Sequence, residues 1–320
     1  MKKHSLPLAL ALALMACAGP KDVEVGPYTV SVIGKNVYHI QDYNSENPSG
    51  ETFDAEGKLT HFNNCSDIYL VVGQKEALLV DLSNPIDWAD NAAESLRSLV
   101  AERVKDKPLT ITFTHNHYDH TGMLPAFVED PKVRFALPEA DFRHLADKFP
   151  ADQIRFINEG EVFDLGGVRV EAVAVPGHTD GSTVYLLKDQ NLLFTGDAIG
   201  SGHGVWIFNT VGFNQYVSAV PHLIERLAER GVNPDKLIVY GGHYWQKDWL
   251  KPDRELGMEY IRDMKTLLDE MAEGTAVTEP SNLGRPNLDT YFRHGEAIIT
   301  WNTQEAEEYR NRDNDAQVLE

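Results

Sequence analysis

The chain has 320 residues, 42% of them hydrophobic and 24% charged, enough apolar content for one large core or two modest ones and too much for a disordered protein. A formal charge of −20 would repel phosphate backbones, so nucleic acid is excluded as an expected partner. With only two cysteines, the fold is not expected to depend on a disulfide.

The first residues run from Lys2 and Lys3 through an apolar stretch, Leu6 to Met15, and reach Leu14-Met15-Ala16-Cys17. This reads as an export signal. The apolar stretch is shorter than the about 20 residues that span hydrocarbon, and Gly19, Pro20, Lys21 and Asp22 follow at once. The run resembles a bacterial lipoprotein signal, whose cleavage would leave Cys17 first and lipidated; an ordinary secretory peptide is the alternative. Residues 1–17 are therefore assigned to a signal, and the mature chain to the cell envelope or periplasm, touching the membrane through Cys17 alone. Losing Lys2 and Lys3 would take the formal charge from −20 to −22. Cys65 is left as a packed or loop thiol.

Short β-rich runs come first: Tyr28 to Ile33, Val37 to Ile40, Ile68 to Val72 and Ala77 to Val80, the last two joined through Gly73-Gln74 as a hairpin. Between Gln41 and Asn64 lies a polar segment, read as a loop over a mouth. From Ser83, with Pro85 near its start, a period of three to four through Trp88, Ala92, Leu96, Leu99 and Val100 predicts an amphipathic helix. A buried strand follows at Leu109 to Phe113, then a histidine-rich turn, a short helix, a strand at Val133 to Ala136 and a helix over Glu139 to Phe149. The second half predicts strands near Val168 to Val175, Val184 to Leu187, Leu192 to Phe194 and Leu237 to Tyr240, with helices at Phe213 to Glu229 and Asp253 to Glu273. An irregular stretch and a charged tail from Gln304 complete the chain. Mixed sheets interleaved with helices imply a layered α/β sandwich. No composition break separates a second domain, so 28–250 is read as one catalytic domain with the helix and tail of 251–320 on the same body.

The chemistry concentrates in Thr114-His115-Asn116-His117-Tyr118-Asp119-His120-Thr121-Gly122, directly after a β-run. A strand end holds the backbone while the loop turns alternate side chains inward, so His115 and His117 can bind one ion and Asp119 and His120 another. Imidazole nitrogen mixed with carboxylate oxygen suits borderline metals such as zinc, and also accepts manganese or iron. Three further pieces each follow a β-run and set a ligand type beside glycine: Pro176-Gly177-His178-Thr179, Thr195-Gly196-Asp197-Ala198 and Gly241-Gly242-His243-Tyr244. Together they could complete two coordination shells.

In these motifs the chain resembles the metallo-β-lactamase superfamily, marked by His-x-His-x-Asp-His, a lone His, a bridging Asp and a final His, all matched in order from Tyr28 to Tyr244. The resemblance implies a four-layered αββα sandwich and two divalent ions. It assigns His115, His117 and His178 to the first metal, Asp119, His120 and His243 to the second, and Asp197 to both. Asp81 matches the acidic residue that closes the family's early hairpin and would orient ligands from behind.

The implied activity is hydrolysis by a metal-activated water, with Asp119 orienting it or accepting its proton. Zinc β-lactamases of the superfamily usually carry cysteine or serine where Asp197 stands, so a small ester, lactone or thioester ranks above a β-lactam as substrate. A basic cluster for glutathione is not found, and His117 stands where the flavodiiron branch has glutamate. A metal-binding lipoprotein without turnover is the third reading. From the segment Ile199 to Phe208, His203 is read as a donor to substrate, and Trp206 and Phe208 as an apolar pocket wall. Tyr244 is read as a hydroxyl donor to an oxyanion. His39, His61, His144, His222 and His294 are expected in surface or packed roles, and the oligomeric state is not legible.

Overall fold

Along Asp67–Val72 every side chain is buried, yet they serve two cores in alternation: Ile68, Leu70 and Val72 face one, Tyr69 and Val71 the other. A strand buried on both faces must lie inside a layered structure. The computed structural model describes residues 22–42, 52–53, 55, 59–61, 65–202, 204–243 and 255–318.

In chain order the first strands are β1 (Val23–Val25), β2 (Tyr28–Gly34), β3 (Val37–Gln41), β4 (Thr52–Phe53), β5 (Leu59–His61), β6 (Asp67–Val72), β7 (Ala77–Val80), β8 (Leu109–Thr112), β9 (Val133–Pro138) and β10 (Ile154–Ile157). Eight of them form one sheet, β1-β2-β3-β6-β7-β8-β9-β10, antiparallel up to β7 and parallel from β7 onward. Next come β11 (Val162–Asp164), β12 (Arg169–Ala174), β13 (Thr183–Leu187), β14 (Leu192–Gly196), β15 (Val205–Trp206) and β16 (Ile238–Gly241). The second sheet runs β11-β12-β13-β14-β16. The helices are α1 (Ala92–Val104), α2 (Tyr118–Thr121), α3 (Glu139–Phe142), α4 (Thr210–Glu229), α5 (Met258–Glu273) and α6 (Thr303–Val318).

Between the sheets lies one core, where Val37, Tyr69, Val71, Leu78 and Val80 meet Val170, Ala172, Tyr185, Leu187 and Phe194. On the outer face of the first sheet, Leu96, Leu99 and Val100 of α1 cover Leu70, Leu79 and Ile111. On the outer face of the second, Phe213, Tyr216, Val220 and Leu223 of α4 and Ile261, Met264 and Leu268 of α5 cover Val173, Val184, Leu186 and Val239. The result is the expected order of helix, sheet, sheet, helix.

Several local expectations are corrected. The first helix starts at Ala92, not near Pro85, because the backbone of 82–84 is engaged elsewhere: Gly122 N donates to Ser83 O, Met123 N to Leu82 O and Asn84 N to the Asp42 carboxylate. The α-helix from Glu139 ends at Phe142 and continues as a 3-10 turn, Arg143–Lys148. The described helix after residue 254 starts at Met258. Strands β10, β11 and β15 have four residues or fewer, too few for periodicity to register.

The largest departure is C-terminal. The stretch expected to be irregular forms β17 (Val277–Pro280), β18 (Thr290–His294) and β19 (Ala297–Trp301), which with β15 make a third sheet, β15-β19-β18-β17, and the charged tail is helical as α6. Of the polar segment 41–64, only β4 and β5, an antiparallel pair, are among the described residues apart from single positions, and the expected mouth loop lies otherwise outside them. The signal and Cys17 also lie outside the described residues. Cys65 is buried.

Trp301 joins the third sheet to the main body: it is fully buried and stacks on Phe213 of α4, with ring centroids 4.5 Å apart. Trp301→Ala is expected to cost about 3–5 kcal/mol in urea unfolding. A change within about 0.5 kcal/mol, typical of a surface exchange, would mean that this face contributes no core.

Candidate metal centre

Strand β8 delivers the histidine turn to the rim where the two sheets meet. Past Thr112 the chain leaves the strand, and a single helical turn, α2, carries Asp119 and His120. That turn is clamped by Leu82 N, which donates to His120 O at 2.8 Å. His178 follows β12, Asp197 follows β14 and His243 follows β16, so three strands of the second sheet, β14 and β16 adjacent and β12 one strand removed, open at the same rim. Two glycines are required for the approach. A Cβ on Gly196 (φ +51°) would lie 2.3 Å from Thr114 Oγ1, and one on Gly242 would lie 2.5 Å from Asp197 Oδ1.

The structure brings together His115, His117 and His178 as one group and Asp119, His120, Asp197 and His243 as another, the candidate ligand atoms of each lying within 4.8 Å of one another. Asp197 stands between the groups, its Oδ2 3.6 Å from His178 Nε2 and 3.5 Å from His243 Nε2, its Oδ1 3.4 Å from His120 Nε2. Asp119 Oδ2 is 3.3 Å from His243 Nε2.

Outward partners hold four of the rings by Nδ1. His243 Nδ1 donates to Cys65 O at 2.6 Å, His178 Nδ1 to Trp206 O at 2.9 Å and His120 Nδ1 to Asp81 Oδ2 at 3.0 Å. The Thr114 hydroxyl donates its proton to Asp81 Oδ2 at 2.7 Å, so at 3.0 Å it accepts from His115 Nδ1. Each Nε2 lone pair is thereby turned inward. His115 Nε2 and His120 Nε2 are buried with no hydrogen-bond partner, which is costly unless a cation takes them, so the donor set fits divalent metal.

Electrostatics agree. Burial, then neighbouring imidazoles, hold His115 well below the usual histidine range, and burial lowers His117 to about 4 and also lowers His178. These three remain neutral, as ligands must. For His120 and His243 burial also opposes charge, but Asp197 and Asp119 outweigh it and the shift is upward. Asp119 and Asp197 are conversely held well below the usual carboxylate range by those two imidazoles, against the opposing effect of burial. The second group thus demands positive charge, from protons or from a cation.

Asp81, expected to orient ligands from behind, is buried with φ +64° and accepts from Thr114 N at 2.7 Å besides the bonds above. Sequence reasoning missed other supports. Asp141, at the start of α3, accepts from Asn116 N at 3.0 Å, Thr179 Oγ1 at 2.8 Å and Gly181 N at 2.7 Å, tying the His115–His117 loop to the one after His178. His39, expected to be packed or superficial, is buried against Asp67 at 2.5 Å, while Asp67 N and Tyr69 OH donate to Gly242 O and Gly241 O. No short motif announces such pairs, because partners 25 or more positions apart meet only after folding. His222 pairs with Glu159 and His294 with Glu270, and neither joins the cluster.

Ile207 is fully buried, whereas Trp206 and Phe208 are half-buried, and Phe208 lies 5.8 Å from the His117 ring and 5.4 Å from that of His178. His203 and Tyr244 lie outside the described residues.

A family model described as metallo-beta-lactamase superfamily matches residues 66–243. Among curated relatives, an atrochrysone carboxyl ACP thioesterase of Aspergillus fumigatus is 37% identical over 141 residues, 43% of this chain and 41% of that protein. Another, of Claviceps purpurea, is 30% identical over 184 residues, 57% of this chain and 54% of that protein. The chain spans about half the length of the curated relatives it matches. Among solved structures, a metallo-beta-lactamase from Pontibacter korlensis aligns with TM-score 0.53 at 20% identity, covering 76% of this chain and 99% of that one. One from Erythrobacter litoralis aligns with TM-score 0.53 at 16% identity, covering 78% and 100%. These structural likenesses carry the fold.

Asp81→Asn and Asp141→Asn are each expected to weaken divalent-ion binding roughly 10–100-fold, as loss of a ligand's supporting partner does. Calorimetric zinc titration of the folded variants checks this; unchanged affinity in both would remove the supporting role.

Proposed function

Because the chain belongs to the metallo-β-lactamase superfamily, we propose that it is a metal-dependent hydrolase of thioesters, with small esters and lactones as the wider substrate class. His115, His117 and His178 would hold one ion, Asp119, His120 and His243 a second, with Asp197 shared. The observation that carries this reading is Asp197 Oδ2, within 3.6 Å of a nitrogen from each group, beside the partnerless nitrogens of His115 and His120. Bound there, divalent ions, zinc before manganese or iron, would polarise a carbonyl and lower the pKa of a water towards about 7.

The chain's own residues supply the rest. Asp119, partly open to solvent and set against His243, is placed to orient the attacking water and take its proton. Trp206 and Phe208 form the wall that limits solvent at the reacting carbonyl. His203 as a donor and Tyr244 as an oxyanion partner stay within the proposal on sequence grounds.

The thioester preference draws support from the thioesterase names of the relatives and from aspartate, not cysteine or serine, at position 197. β-Lactam hydrolysis is the second reading, favoured only by the likeness of fold. Zinc-loaded protein is expected to release thiol from acyl N-acetylcysteamine thioesters, to lose this on chelation and regain it with zinc, and to open nitrocefin poorly. Efficient nitrocefin opening with thioesters, esters and lactones left intact would reverse the ranking.

Envelope location also belongs to the proposal and rests on residues 1–17. Full-length chain expressed in a bacterium is expected to partition into detergent, and Cys17→Ser into the aqueous phase. Equal partitioning would refute the anchor.

A further inference from the structure

One cation stands against the aromatic pair Trp206 and Phe208, over the Trp206 ring. Trp206 and Phe208 sit edge to face with centroids 6.4 Å apart, Phe208 abuts His117 and His178, and the Arg285 guanidinium lies over the Trp206 ring, 5.1 Å from its centroid. Arg285 comes from the C-terminal segment, beyond the residues 66–243 that match the family. Its place is built by that segment: β15 pairs with β19, and Leu283, Leu288, Tyr291 and Ile298 pack beneath Trp206 and Phe208.

Arg285 is exposed and, among the described residues, makes no ion pair. The nearby Asp289 is engaged instead by Thr303 N and by the Asn302 amide. In a chain of formal charge −20, an anionic substrate is repelled at long range, so its capture needs a local cation left without a carboxylate. An arginine stacked on an indole keeps its N–H fork oriented and its donors free for carboxylate or phosphate.

We propose that Arg285, with Trp206 and Phe208, is a specificity-determining arm that recognises an anionic group on the substrate, distant from the bond being cleaved. This rests on the thioesterase reading. The anion could be a carboxylate at the far end of the acyl chain or a phosphate on the thiol carrier.

Two substrate pairs separate the sources. The first is the N-acetylcysteamine thioester of a dicarboxylic acid against its terminal methyl ester; the second is a neutral acyl group on a phosphorylated thiol against the dephosphorylated thiol. Arg285→Gln is expected to raise KM for the anionic member of one pair roughly 10–100-fold, the worth of a hydrogen bond to a charged group. Its kcat and the neutral member should be unmoved, and Arg285→Lys should restore part of the loss. Equal effects on charged and neutral members, or none, would overturn the arm. Non-hydrolysable thioether analogues of the same four compounds, titrated by tryptophan fluorescence, give the answer without turnover. Charge-selective binding lost in Arg285→Gln, with no thioester cleaved by the wild type, would leave the arm standing and sink the thioesterase reading; binding without charge selectivity would sink the arm.

Discussion

Seven ligand-type side chains share one rim, most of them buried, and the protein must keep them oriented although they repel or strand one another there. Imidazole nitrogens without partners and carboxylates crowded together are each expensive in a low-dielectric interior. The surrounding architecture answers that cost. Every outward Nδ1 bond described, to Cys65 O, Trp206 O, Asp81 and Thr114, comes from a different segment, so the rings are set from behind by the fold and aimed by it at a common space.

Those segments are rigid for reasons that lie deeper in the core. The parallel run from β7 to β10 places Asp81 beside Thr114, because β7 and β8 are in register from Ala77 with Leu109 to Val80 with Thr112. In the second sheet, β14 and β16 run parallel side by side, which brings Gly196 and Gly242 into contact and Asp197 beside His243. A slip of one residue in either register would turn Asp81 or Asp197 away from the site. Buried carboxylates therefore serve twice: Asp81 holds a turn of unfavourable φ and a ligand ring, and Asp141 holds two ligand loops together.

The C-terminal segment adds a different kind of control. Its sheet captures β15 as an edge strand, and side chains alternate along 205–208: Val205 and Ile207 turn into the core, Phe208 lies against the histidines, and Trp206 packs on Phe208 and the C-terminal apolar cluster. The histidine and aspartate cluster and the packing beneath Trp206 and Phe208 thus come from separate parts of the chain, joined through the buried Phe213 and Trp301 stack. Substrate preference can then vary without disturbing the ligands.

Read alone, the sequence determined the two-sheet class and marked the candidate ligands that the fold gathers, since His115 to His120, His178, Asp197 and His243 each follow a β-run, and residue type with strand position is local information. It also marked Asp81 at a strand end and the aromatics of 206–208. Only tertiary structure decided that Asp141 and Asp67 support the site, that α1 begins at Ala92 and that residues 277–301 form strands beside β15. Those outcomes depend on partners far away in the chain, and short or irregularly patterned segments take their conformation from whatever surface they complete.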